Sequence, residues 1–239
     1  MKNIANRLML TLSALFMTAV SFAQPPSADL AINHNRLIRE KTGDGVYKQI
    51  GIYKVVGTPY LFGEKNKGDL FSTGAKAYNI FLSYNTYNQE VEFYSTSNPD
   101  KPLMKEPGEV DSFVILPNTE LGIIDPLKFI YGSLLNSTDK SYYQEVYAGK
   151  KFGIYKRYRS SLGYVSSNYI QSELRQFDLE CEYYYTDDEK KSIKKVKPNA
   201  SNVIKEFKSI KDLSDIINNN AFTASPDDAF RKAFEYLNN

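Results

Sequence analysis

From position 46 to position 198 the chain repeats one pattern. Short β-branched and aromatic runs alternate apolar and polar residues, and clusters of Gly, Pro, Asn and Asp cut them apart. In "KAYNIFLSYN", Tyr78, Ile80, Leu82 and Tyr84 fall on one side, and Asn79, Phe81, Ser83 and Asn85 on the other. On the return, Val91 and Phe93 alternate with Glu90, Glu92 and Tyr94. A period of two on both sides of the turn-rich "NTYNQ" predicts a hairpin with Tyr78 and Tyr84 facing inward. "YKQIGIYKVVGTPYLF" predicts strand ahead of it, with "GEKNKG" as a plain turn before "DLFST"; "KPLMKE" and "VDSFVIL" predict two more strands. A second hairpin, "SYYQEVYAGKKFGIYKRYRS", turns at Ala148-Gly149-Lys150. A long irregular connection in "SSLGYVSSNYIQSEL" leads to a third, made of "FDLECEYYYT", the acidic turn "DDEK" and "KSIKKVKP", which Pro198 stops.

The period changes in the last forty residues. "SIKDLSDIINNN" predicts a helix with Ser209 as cap, Asp212 completing a capping box, and Ile210, Leu213, Ile216 and Ile217 on one face. In "SPDDAFRKAFEYLNN", Ser225 caps, Pro226 takes the first helical position, and Asp227 and Asp228 suit the positive end of the helix dipole. A shorter helix runs from Ser201 to Phe207. The expected fold class is α+β: antiparallel β hairpins in a meander, a β-rich sheet or roll, closed by two or three short C-terminal helices. The expected segments are a signal peptide over 1–23, a flexible lead-in over 24–44 with a short helix around Ala28 to Arg39, an N-terminal antiparallel β unit over 45–125, β hairpins over 126–198, and helices over 199–239 that pack on the β unit.

The leader changes the charge picture. Lys2 and Arg7 precede an uncharged stretch from Leu8 to Val20, and Ser21-Phe22-Ala23 offers small residues for cleavage before Gln24. The apolar run is shorter than the roughly 20 residues of a membrane-spanning helix, and no later run in the mature chain is long enough. The leader carries two of the 30 basic residues and none of the 28 acidic ones, so the mature chain has 28 of each. No global field then attracts nucleic acid or an anionic membrane. The expected location is periplasmic or extracellular, soluble after cleavage.

Several chemistries lack their residues. His34 is the sole histidine and Cys181 the sole cysteine, which argues against a Ser-His-Asp triad, a Cys-His pair, a zinc site and an intramolecular disulfide. Cys181 sits in a strand-like run, where a thiol is expected as a small buried hydrophobe. "GEKNKGD" lacks the Gly-Lys-Ser/Thr step of a phosphate loop, and "DDEK" lacks the spaced ligands of a calcium loop. No cofactor, metal or catalytic residue is expected. Glu90 with Glu92, and Glu180 with Glu182, could hold a glycosidase-like spacing, but each reads equally as the polar side of a half-exposed strand. The lysines of "KKSIKKVK", among them Lys194, Lys195 and Lys197, read as a solvated edge strand or as a site for an anionic partner. Of 19 tyrosines, Tyr87, at a turn, and Tyr94, in phase with the glutamates, are the exposed candidates for a contact surface.

"GTPYLFGEKNKGDLFST" followed by "FLSYNTYNQEVEF" resembles a family of signal-peptide-bearing exported proteins of Bacteroidetes-type bacteria. The likeness rests on Gly57 to Leu61, Tyr84 to Asn88 and Glu92-Phe93, and "VYAGKKFGIYKRY" and "AFRKAFEYLNN" are similar to the tail of such proteins. It implies export and transfers no site residue. Three functions are compatible with these residues. The first is a non-catalytic protein that binds an envelope protein or a surface polysaccharide through its β surface. The others are a glycan-acting hydrolase with a carboxylate pair and a soluble carrier of a small apolar ligand.

Overall fold

The computed structural model describes residues 32–33, 37–41, 47–52, 54–95, 98–105, 108–164, 174–187 and 193–239, with side chains from Val55 on, save 98–101. The leader, His34 and most of the "DDEK" turn lie outside these residues. The described chain is mostly sheet with three short C-terminal helices, an α+β arrangement. It opens with β1 (Ile32–Asn33), β2 (Leu37–Lys41), β3 (Tyr47–Ile52) and β4 (Lys54–Val56). Long strands β5 (Tyr60–Ser72) and β6 (Ala75–Asn85) follow, then β7 (Glu90–Ser95), β8 (Asn98–Met104), β9 (Ser112–Ile115) and β10 (Leu127–Tyr131). The sheet ends with β11 (Tyr142–Ala148), β12 (Gly153–Tyr164), β13 (Leu174–Thr186) and β14 (Ile193–Val196). Helices α1 (Ala200–Phe207), α2 (Asn219–Ala224) and α3 (Pro226–Asn238) complete the chain.

Twelve strands form one sheet in the order β1-β4-β13-β12-β11-β10-β9-β5-β6-β7-β8, with β14 also on β13, while β2 and β3 pair separately. The sheet is mixed because β4 runs parallel to β13. It also curls. Four strands separate β6 from β12 in the ladder, yet the Ser160 amide on β12 donates to the Thr86 carbonyl just past β6, at 3.1 Å. The Gln89 side-chain amide reinforces this closure: its Nε2 donates to the Tyr158 carbonyl at 2.9 Å and its Oε1 accepts from the Tyr84 hydroxyl at 2.7 Å. The Thr86 and Ser160 hydroxyls meet at 2.6 Å. Each of these polar groups is buried and partnered, as a dry interior requires.

The inner face of this half-barrel is filled at one end by Leu82, Tyr84, Phe113, Ile115, Phe129, Tyr142 and their neighbours. Phe113 and Phe129 stack at 4.6 Å between ring centroids. Gly68 makes the fit possible, since a Cβ there would lie 2.3 Å from the Val114 carbonyl and 2.6 Å from Leu82. At the other end Ile154, Tyr183 and Tyr185 carry the helices through Phe207, Phe230 and Phe234, all buried. Ser225 accepts from the Asp228 amide and Pro226 opens α3, as its sequence predicts.

The structure corrects several local expectations. Residues 37–41 are strand, not the short helix expected across Ala28 to Arg39. "GEKNKG" is no turn: it lies within β5, where Phe62 and Gly63 take positive φ and Phe62 to Lys65 bulge out of the ladder with β6. The expected irregular connection begins and ends as strand, with Ser160 to Tyr164 paired to Arg175 to Leu179. Residues 211–218 hold no helix. There the Asp212 carboxylate accepts from the Ser214 amide and hydroxyl, closing a local turn that competes with helix. Leu213 and Ile217 are still buried, while Ile210 and Ile216 face out. Cys181 is exposed, not a buried hydrophobe.

Candidate functional site

The outer face of β5, β6 and β7 carries two exposed aromatics, Tyr78 and Phe81. Tyr78 was expected inward; it is 62% exposed. The register of β5 and β6 shifts between Gly68 and Leu70, and Asn79 takes φ 52°, its amide donating to Asp69 at 2.8 Å. The extra residue turns Tyr78 outward, edge-on to Phe71 at 5.8 Å. Beyond the bulge the expected alternation resumes, with Leu82 and Tyr84 fully buried and Phe81 outward at 45% exposure. Phe81 lies directly opposite Tyr94 on β7 and Lys67 on β5. Tyr94 is half-buried, with the Lys65 ammonium 4.8 Å above its ring. Beside this pair lies a cleft of about 440 Å³ lined by Lys65, Lys67, Phe81, Leu116, Pro117 and Glu120. The arrangement offers flat rings flanked by two cations, a surface for stacking combined with charge recognition.

The other residues singled out from sequence do not join it. Tyr87 is half-buried at the β6–β7 turn, edge-on to Phe177 of β13 at 5.6 Å, so its ring helps close the sheet. Lys194, Lys195 and Lys197 are exposed on or just after β14, which hangs on β13 at the far side of the ladder. Two of them meet the protein's own acids: Lys194 sits 3.6 Å from Asp187, and Lys195 bonds to Glu182.

The fold buries one carboxylate pair and engages one member of the other, leaving Glu180 exposed. Glu90 and Glu92 are 3% and 8% exposed, not half-exposed. The β5 bulge folds over their side of the sheet, since the Ser83 hydroxyl donates to the Glu64 carbonyl, and the Tyr60 hydroxyl donates to Glu92 at 2.7 Å. Glu182 stands in an ion network with Arg157, itself paired to Asp139 and lying 5.1 Å from the Tyr184 ring. Lys195 foremost, with Arg157 and the Tyr184 hydroxyl, holds the Glu182 carboxyl down to about 2, and Glu182 in turn helps burial push Tyr184 up to about 12. A carboxyl so strongly ionised is poorly suited to serve as a general acid near neutrality. Partial desolvation raises the Cys181 thiol pKa, which disfavours its thiolate.

Phe81, Lys65 and Lys67 were missed from sequence. Phe81 carries a legible signal, being out of phase with Leu82 and Tyr84, but "GEKNKG" read as a turn removed both lysines from the sheet. Among the described residues no group of three His, Cys, Asp or Glu side chains is placed to hold a metal ion, and no helix is long and apolar enough to cross a membrane. No protein-family model, curated protein or solved structure matches the chain.

Proposed function

We propose that the chain is an exported, non-catalytic protein that binds an acidic surface polysaccharide through the outer face of β5, β6 and β7. The observation that carries this reading is the Phe81–Tyr94 cross-strand pair set between Lys65 and Lys67. Sugar rings present C–H faces that stack on flat aromatic side chains, and uronate or phosphate groups pair with ammonium. Among the described residues Lys67 forms no ion pair with a carboxylate, which leaves it available to such an anion. The cleft beside Phe81 falls within the roughly 300–1,000 Å³ of small-molecule sites and suits one or two sugar units. Export rests on the leader: the mature protein begins at Gln24, which intact mass of the exported chain checks.

The binding test is affinity electrophoresis of the mature protein through gels containing polygalacturonate or neutral dextran. Polygalacturonate is expected to retard the protein and dextran to do so less. Phe81→Ala and Lys67→Ala should each lose retardation with unchanged melting. Equal migration of wild type and both variants would overturn the proposal.

A further inference from the structure

The cleft beside Phe81 is lined by charge of both signs. Lys67 lies directly opposite Phe81 across β5 and β6, so its side chain shares the outer face with that ring. The segment 116–120 supplies another wall, ending in Glu120. Hydrogen bonds fix that wall. The Leu116 amide donates to the Lys67 carbonyl at 2.9 Å, tying the segment to the strand that carries the lysines. Asn118 and Ile123 exchange backbone bonds, each at 2.9 Å, and the Asn118 side chain accepts from the Glu120 amide at 3.0 Å. Gly122, at φ 71°, closes the loop by donating its amide to the Thr119 carbonyl at 3.1 Å. The Glu120 backbone is thereby held beside the cleft, and its exposed side chain forms no ion pair among the described residues.

Mixed charge restricts what a bound polymer has to present. A chain of uronates alone satisfies Lys67 but brings further carboxylates up against Glu120. A neutral glycan satisfies neither. A repeat that places an ammonium within one or two sugar units of a carboxylate satisfies both, and like charges brought together in a concave site count against the other polymers. We infer that the cleft selects an acidic polysaccharide whose repeat alternates a uronate with a free-amine sugar, the uronate meeting Lys67 and the ammonium meeting Glu120. This inference rests on the polysaccharide reading and adds a specificity-determining residue to it.

Affinity electrophoresis at about pH 6, where sugar amines are protonated and carboxylates ionised, tests it. The gels contain heparosan (glucuronate alternating with N-acetylglucosamine), the same polymer after removal of its acetyl groups, or polygalacturonate. The deacetylated polymer is expected to retard the mature protein about two- to fivefold more strongly than the acetylated one, the size of one exposed ion pair. Glu120→Gln should abolish that difference and retain retardation by polygalacturonate, with unchanged melting because Glu120 is exposed. Equal retardation of the wild type by the two heparosans, or a preference that survives in Glu120→Gln, would overturn the inference while polygalacturonate binding stands. Loss of retardation by all three polymers would overturn the polysaccharide reading and this inference with it.

Discussion

Two tyrosines of one strand show how far a side chain's fate depends on its immediate ladder. Tyr84 is fully buried, and burial drives its hydroxyl pKa upward while Gln89 Oε1 accepts its hydrogen bond. Tyr84→Phe keeps the ring but leaves the buried Gln89 oxygen without this donor, so it should cost about 1–3 kcal/mol in chemical denaturation. Tyr78→Ala should stay within about 0.5 kcal/mol of wild type, because the ring stands in solvent. Glu182 gives a pH test. Its folded pKa of about 2 lies below the ordinary 4.5, so its ion network contributes fully above the ordinary value and is lost as pH falls toward 2. Melting temperatures from pH 6 to pH 2 should therefore fall less steeply below pH 4.5 in Glu182→Gln than in wild type. An identical acid slope would mean that the network does not contribute to stability.

At the scale of elements, α3 is held at its start, middle and end. Asp227 in its first turn meets Lys156 at 3.2 Å and accepts from the Tyr183 hydroxyl. Phe234, fully buried, contacts Phe207 at 5.3 Å and Phe230 at 6.3 Å. Phe234→Ala should cost about 3–5 kcal/mol, measured by denaturant unfolding; a loss below about 1 kcal/mol would make the helix peripheral. At the end, Asn238 Oδ1 accepts from the Lys151 and Phe152 amides at 2.8 and 3.1 Å, and its Nδ2 donates to the Phe152 carbonyl at 2.9 Å. Asn238→Ala should raise amide exchange selectively in the 149–152 turn, since that side chain supplies its missing partners. The stripe and caps of α3 were legible because cap, proline and apolar spacing agree. The stretch 209–218 carried a comparable stripe but no helix. Its short polar side chains offer the backbone local bonds instead, and its apolar residues satisfy burial without the helical period.

On the scale of the whole molecule, sheet closure runs through the turn that first suggested only a hairpin. Thr86 and Gln89 join β12 across four intervening strands, so Gln89→Ala should loosen both ends of the curl. Amide exchange should then rise at Ser160, whose amide bonds to Thr86, as well as at the turn itself. The sequence alone determined that the described chain is β-rich and ends in helices. Alternation over two residues and capping over four are local, and each needs only its neighbours to be read. The three hairpins were legible for the same reason, as were the inward positions of Leu82 and Tyr84. Tertiary structure decided what lies between those local units. The bulges in β5 and β6 turned Tyr78 outward, kept "GEKNKG" within a strand and covered Glu90 and Glu92. Whether an inserted residue makes a turn or a bulge depends on what the adjoining strand can pair with, and that strand can lie far away in sequence. The same holds for the candidate surface: Phe81, Tyr94, Lys65 and Lys67 are separated along the chain and become one face only through strand register.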